Sequence, residues 1–585
     1  MKKLVSLFII LILVCFTLPL AACENRPRYD YVFITDLHVV ANSVFTEENY
    51  ASYVRQEKSV HISEAILNSL VDEIIAKKYK GVFVSGDITQ SGDEASHLAA
   101  AAAFKRLENA GIQVYVVNGN HDLPSNKGEI GRKISAARFK EIYNDFGYAE
   151  AKEVSPYSLG YVADINKNFR LIAVDNMPRY DENETFEKPE PLSETNIEWV
   201  KKQVDACNND KVTPIILAHD TFINHFPEIA QIAFDRATTT QQGKLVKSVA
   251  EKGAKLILAG HDHVQDIITY KADNGNELYE VAAGSLVFFP CAYKELSLKK
   301  KSITVNTVSF DNVKEEYLPS VCPQEIRDKI AKGLQNYCFE HFSNYISSLA
   351  ASVVSRCRNI NVSGEAKAAF AVLADEVVAK VLNNPFYIKD EDNNTSLERI
   401  LNEYGISMPT TQYKNLVELA PRMAAILFGG DENLVNAPDL NIIKYSLFSA
   451  FYYLDEASGL LAAAAPSYPV IDVDLDKLFK DGILECYDSN IVPFGLKLFT
   501  AYNYTVGNLI KGVIENDFEN IGSDFVKTMI AGYTDNVITD VSEFFSGKNL
   551  LIKKLIDDGI WGNYASNYVL DTPPSDTYVV ISLRK

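Results

Sequence analysis

The chain is 585 residues long, 47% hydrophobic and 23% charged, with a formal net charge of −20. That length exceeds what one hydrophobic core usually organises, so two domains are expected, and the apolar content excludes a disordered chain. The acidity excludes a binder of nucleic acid polymers or of anionic membrane surfaces, because like charges repel.

At the N-terminus, Lys2 and Lys3 precede an apolar run from Leu4 to Phe16, and Leu20-Ala21-Ala22-Cys23 closes it. A charged start, a short apolar core and small residues before a cut read as a secretory signal, and the run falls short of the roughly 20 residues a membrane span needs. The ending resembles a bacterial lipobox, which implies a lipoprotein signal peptide over 1–22 and a lipid on Cys23. The protein is therefore expected outside the cytoplasm, anchored to the bacterial cell membrane through Cys23. Cys15 would leave with the leader, and Cys207, Cys291, Cys322, Cys338, Cys357 and Cys486 are widely spaced with no CxxC pair. Buried single thiols are expected in place of a disulfide framework.

From Tyr31 to about Phe310, short β-rich apolar runs alternate with helical stretches, the pattern of a layered α/β domain. Strands are expected at 31–35, 81–85, 114–118, 169–174, 213–218, 255–259 and 278–283, followed by a hairpin turning near Lys300. Helices fit between them at 62–78, 94–110, 131–146, 193–207 and 240–253, with Gly111 and Gly253 where a C-cap favours glycine. Beyond about 315 the strand pattern stops and apolar residues recur at spacings of three and four. Segments 323–355, 364–382, 440–464 and 494–514 are expected as helices of an all-α bundle spanning 316–585. One of nine histidines, His341, lies in this half, so imidazole chemistry belongs to the other.

The first-domain strands run, one after another, into metal-binding residue types. Those at 31–35, 81–85 and 114–118 lead into Asp36-Leu37-His38, Gly86-Asp87 and Gly119-Asn120-His121-Asp122. Those at 213–218 and 255–259 lead into His219 and Gly260-His261-Asp262-His263. Loops leaving strand ends converge on one rim in layered α/β folds, so residues distant in sequence become one cluster. Asp-x-His and His-x-His turns put two donors within reach of one cation, and glycines 86, 119 and 260 let the backbone turn beside it. Carboxylate, amide and imidazole donors without thiolates suit Mn, Fe, Zn or Co.

These fragments, in this order, resemble the calcineurin-like metallophosphoesterase family over residues 29–312. The resemblance implies a metallophosphoesterase β-sandwich flanked by helices and a pair of divalent metal ions. It implies that Asp36, His38 and His263 hold one ion, that Asn120, His219 and His261 hold the other, and that Asp87 bridges them. His121 becomes a hydrogen-bond donor or general acid at the leaving oxygen, oriented by Asp122. The implied reaction is hydrolysis of a phosphate ester by a hydroxide held between the ions. No G-x-S-x-G elbow suggests a covalent route instead. Two dications outweigh Asp36, Asp87 and that hydroxide, which gives a cationic pocket in an anionic protein.

Within the family, Ile34-Thr35-Asp36-Leu37-His38, Gly86-Asp87-Ile88-Thr89 and Asn118-Gly119-Asn120-His121-Asp122 look most like the class III cyclic-nucleotide phosphodiesterase branch. Secreted bacterial lipoproteins of that branch carry a C-terminal helical domain. The expected substrate is a small phosphodiester. The alternatives are a phosphomonoesterase or nucleotidase of the same fold, and a surface binding protein acting through its helical region. His61 reads as structural, and His97 and His225 as packing residues with a rim contact as the other reading. Asp472-Val473-Asp474-Leu475-Asp476 lacks the turning glycine and closing glutamate of a calcium loop. The aromatic run 445–453 reads as bundle core, and the alanines at 462–465 as close helix packing.

Overall fold

The computed structural model describes residues 29–178, 192–223, 225, 240–359, 364–387, 396–430, 438–464, 466 and 577–583. The readings made for Cys23, Cys486, 472–476 and 494–514 lie outside them.

Two sheets face each other. The first contains the parallel neighbours β1 (Tyr31–Ile34), β2 (Gly81–Ser85) and β3 (Gln113–Val117). The second contains β4 (Glu153–Val154), β5 (Tyr161–Asn166), β6 (Phe169–Val174), β7 (Thr213–Ala218), β8 (Leu256–Ala259), β9 (Asp266–Lys271) and β10 (Glu277–Ala282) in the order β4-β5-β6-β7-β8-β10-β9. The hairpin β11 (Ala292–Lys299) and β12 (Ser302–Ser309) returns to the first sheet beside β1, and β13 (Tyr578–Ser582) pairs with β12. The order of that sheet is β13-β12-β11-β1-β2-β3.

The central strands are apolar without alternation because both of their faces are covered. On β7, Ile215 and Leu217 enter the core between the sheets, while Ile216 and Ala218 enter a second cluster. That second cluster is closed by α3 (Glu194–Asp210) and α4 (Thr240–Glu251), through residues such as Val200, Val204 and Val249. On the other side α1 (Ser63–Lys77) and α2 (Glu94–Asn109) cover the first sheet with Ile66, Leu70, Phe104 and Leu107. Asp93 caps α2 by accepting from the amide of Ser96 at 2.9 Å. Parallel connections of this kind leave β1, β2, β3, β7 and β8 pointing their C-terminal ends to one edge, where the site lies.

The helix expected at 131–146 is shorter, Ala136–Ile142, because Ser135 caps it and Phe146 and Gly147 leave helical backbone geometry. Strands β4, β5 and β9 were not anticipated. Residues 316–585 are not all-α either. After α5 (Leu334–Arg358), α6 (Leu416–Gly429) and α7 (Pro438–Glu456), the chain returns as β13. Val579 and Ile581 point into the first core and Tyr578 and Val580 outward, the alternation of an edge strand. A five-residue apolar run cannot be told from helix by periodicity alone. The expected separation at 312–316 is also blurred, since Leu318, Ile330, Leu334, Tyr337 and Cys338 belong to the α/β core.

The helical region has its own core, built on Phe386, Leu397, Ile400, Leu401, Leu419, Ile442 and Tyr453. Tyr453 of the aromatic run is buried in it as expected, and the short helix Ser458–Ala464 packs against the helices Gly364–Val372 and Pro438–Glu456 with none of its residues fully buried. All five cysteines among the described residues are free thiols, and four are buried. Among the described residues no helix is long and apolar enough to cross a membrane.

Candidate metal centre

Asp36 and His38 follow β1, Asp87 follows β2, Asn120 and His121 follow β3, His219 follows β7, and His261 and His263 follow β8. The seven residues expected as ligands are buried or nearly so and come together at the rim. The donor atoms of Asp36, His38 and His263 form one group, and those of Asp87, His219 and His261 another, each within 4.8 Å.

Around the first position, His263 Nε2 lies 3.1 Å from His38 Nε2 and 3.2 Å from Asp36 Oδ1, and His38 Nε2 is 3.8 Å from that same oxygen. Around the second, His219 Nε2 lies 3.1 Å from Asn120 Oδ1 and 3.4 Å from Asp87 Oδ1. Donors held about 2.1 Å from one ion stand roughly 3.0 Å apart at octahedral angles and roughly 3.4 Å at tetrahedral ones, so these spacings fit shared cations. Asp87 reaches both positions, since its other oxygen, Oδ2, is 3.9 Å from His38 Nε2.

Two further observations match a cation site. Asp36 Oδ1 is a buried acceptor without a hydrogen-bond donor, while Oδ2 of the same carboxylate accepts from Thr35 Oγ1 at 2.7 Å and the amide of His261 at 2.9 Å. His219 donates from Nδ1 to the carbonyl of Ser85 at 2.7 Å, which leaves the Nε2 lone pair facing the cluster, as a metal ligand requires.

The protonation balance of the ion-free protein agrees. Burial pushes the Asp36 carboxyl up, but the imidazoles of His263 and His219 outweigh it and leave it below the usual range. Asp87 is also raised by burial, yet His219 and His121 pull it well below the carboxylate norm. Burial lowers His219, and Asp87 more than reverses this, pushing it up to about 10. Two buried carboxylates thus demand positive charge, and a divalent ion would displace the proton that otherwise supplies it.

Five of the seven expected ligands, Asp36, His38, Asp87, His261 and His263, hold left-handed backbone angles between +44° and +68°. Side chains rarely adopt this region, and each such residue carries a conformational cost that the surroundings must sustain. Glycines make the crowding possible. A Cβ on Gly119 would run into the backbone amide and Oδ1 of Asp87, and one on Gly260 would overlap Thr35 Oγ1 and crowd Asp36 Oδ2.

His121 stands beside Asp87, with Nε2 3.9 Å from Oδ2, and its ring is 4.8 Å from that of His38. Its orientation differs from expectation. Nδ1 donates to the carbonyl of Gln90 at 2.7 Å, not to Asp122. Asp122 is fully buried and accepts from the amides of Gly119, Ile88 and Thr89 and from Thr89 Oγ1, so it fixes the β2 and β3 loops instead of the imidazole. Sequence reasoning gave no supporting role to Thr35, Ser85, Gln90 or Ser285, and the Ser285 hydroxyl donates to the carbonyl of Asp36 at 2.6 Å. Thr35 and Ser85 adjoin recognised motifs, but nothing marked Gln90.

The other histidines are internal. His61 bonds Tyr337 Oη at 2.6 Å, His97 bonds Tyr143 Oη at 2.9 Å, and His225 is paired with Asp266 at 2.7 Å.

Residues 30–265 match the calcineurin-like phosphoesterase family. A comparison with curated proteins finds no match. Among solved structures, a dimetal phosphatase from Danio rerio is 15% identical, with 48% of this chain and 97% of that one covered and a TM-score of 0.34. A purple acid phosphatase from yellow lupin (Lupinus luteus) seeds is 13% identical, with 48% and 52% covered and a TM-score of 0.33. The match to the calcineurin-like phosphoesterase family thus lies over residues 30–265, the part of the chain that holds the donor cluster, and the fold there is a metallophosphoesterase fold.

Proposed function

We propose that the protein is a phosphodiesterase that hydrolyses a small phosphodiester, a cyclic nucleotide or a similar molecule, at two divalent ions. The observation that carries this reading is Asp87, whose two oxygens face two separate donor groups. Asp36, His38 and His263 would hold one ion and Asn120, His219 and His261 the other. When bound, such ions polarise phosphoryl oxygens and acidify water. The residues of the chain orient the ester and exclude bulk water. His121, with Nδ1–H committed to the Gln90 carbonyl, presents Nε2 to the leaving oxygen and donates a proton there in its imidazolium form.

The preference for a diester rests on the likeness of the Asp36, Asp87 and Asn120 motifs to the cyclic-nucleotide branch. The test is to strip the metals, restore Mn and compare bis-nitrophenyl phosphate with nitrophenyl phosphate. A higher kcat/KM for the diester is expected, and preference for the monoester would make the protein a phosphatase. We place the protein outside the cytoplasm on a lipid carried by Cys23. Cys23→Ala should release it from the membrane fraction, and retention there would remove the anchor from the proposal.

A further inference from the structure

Ligand geometry at the rim depends on what holds each donor. For Asp36 and His219 the holding groups named above, Thr35 and Ser85, belong to the α/β region. His263 has supports from elsewhere as well. Its backbone is left-handed, with φ at +57°, so the peptides that follow must be pinned for the imidazole to keep its aim.

The helical region supplies that pin. Gln265, two residues on and buried, precedes the edge strand β9, and its amide donates to the carbonyl of Phe428 at 3.0 Å. Phe428 lies in the last turn of α6, where helix carbonyls lack an intrahelical donor, and a buried amide such as that of Gln265 needs an acceptor. Each satisfies the other. Between His263 and Gln265, the buried Val264 packs with Ala282 against the Phe428 side chain.

The ring of His263 meets the same helix end. It lies 5.1 Å from the ring of His38 and 5.9 Å from that of Phe288. Phe288 is buried, and its ring is 5.0 Å from that of Phe428 and 4.7 Å from that of Phe342 on α5. Both pairs are edge-to-face, a geometry in which aromatic rings attract. Helix α5 is anchored beside this cluster, since His341 Nε2 donates to the Gln56 carbonyl at 2.8 Å and the Phe339 ring lies 5.4 Å from that of Phe289. Phe428 therefore reaches His263 by two routes, one along the backbone through Gln265 and one across the ring of Phe288.

We propose that Phe428 is a positioning residue for the metal centre, holding His263 in ligand geometry so that the helical region completes the ion position of Asp36, His38 and His263. This rests on the two-ion reading of the rim. It makes the two positions unequal, because Asn120, His219 and His261 lie outside both routes. An outer support of this kind sets the aim of a ligand without touching the ion, so its loss is felt as metal affinity at one position.

The test titrates the full metal-free chain with Mn, followed by calorimetry and elemental analysis, with kcat/KM for bis-nitrophenyl phosphate measured beside it. His263→Ala marks which of the two binding steps belongs to its position. Phe428→Ala is expected to weaken that same step by roughly ten- to a hundredfold and to leave the other unchanged. Phe428→Tyr keeps the ring and should restore the affinity. Phe428→Leu keeps apolar bulk without the ring, should fall between, and decides the matter if Phe428→Ala does not fold. Leu419→Ala, which opens a cavity in the helical core on the same helix, should leave both steps unchanged. Wild-type affinity at the His263 step in folded Phe428→Ala, or in Phe428→Leu where Phe428→Ala does not fold, overturns the proposal. Equal weakening of both steps, or the same weakening in Leu419→Ala, also overturns it, because a loosened fold would then account for the loss. A wild-type chain that takes up no Mn removes the centre and this proposal together. A wild-type chain that binds two Mn ions yet hydrolyses neither ester overturns the hydrolase reading instead, and the titrations still decide the role of Phe428.

Discussion

The rim of the sandwich and the core of the helical region treat the backbone in opposite ways. At the rim, Asp36, His38, Asp87, His261 and His263 sit in left-handed conformations and bury carboxylates beside one another's imidazoles. Among the described residues after 315, only glycines take positive φ, and the core is apolar, from Phe386 through Leu419 to Tyr453. One region tolerates strain and buried charge to aim donor atoms, and the other follows ordinary helix packing. Strain is thus concentrated where a ligand can offset it, and the rest of the fold supplies the stability that holds it.

The sharpest way to break this contrast is at Asp87. Asp87→Ala removes the carboxylate shared by both donor groups, and hydrolysis should fall on the order of a thousandfold or more with loss of bound metal, read by elemental analysis and kcat/KM. His121→Ala should leave metal content intact and lower kcat by roughly 10² to 10⁴ for esters with alkyl leaving groups. The loss should be far smaller for nitrophenyl esters, whose leaving group needs little protonation. A substitution in the other region should behave in reverse. Leu419 is fully buried, so Leu419→Ala should cost about 2–5 kcal/mol in denaturant unfolding while metal content stays full. Gly260→Ala tests the crowding beside Asp36, with a tenfold to hundredfold (~1.4–2.8 kcal/mol) loss of metal affinity expected in competition titrations.

The smallest effect concerns His225, whose buried ring contacts Asp266 and lies 3.4 Å from Glu280. Burial lowers it, but Asp266 first and Glu280 after it push it up to about 10. A folded-state value above the unfolded one means that its stabilisation is complete below about pH 6.5 and fades as pH rises toward 10. Wild-type Tm should therefore fall over that window by a few degrees more than the Tm of His225→Gln. Parallel curves would remove the charged histidine from the account.

Legibility followed the same division. The strands ending in Asp36, Asp87, Asn120, His219 and His261 were readable because a run buried on both faces leaves an uninterrupted apolar signature, and the polar residue after it stands out. Tyr578–Ser582 was not readable, because a short strand after a helical stretch takes its identity from the β12 edge it meets. The role given to Asp122 failed for a related reason. Adjacency in sequence suggested a partner for His121, but the Gly119 and Thr89 amides claimed the carboxylate first.

By itself, then, the order of residues determined the central strands that lead into the site and the donor types at their ends, since periodicity and residue chemistry are local properties. Tertiary structure alone decided which donors share a position, that Asp87 faces both groups, that Gln90 orients His121, and that His341 of α5 bonds the Gln56 carbonyl. Each of these depends on distances across chain separations of tens to hundreds of residues, which only the folded packing sets.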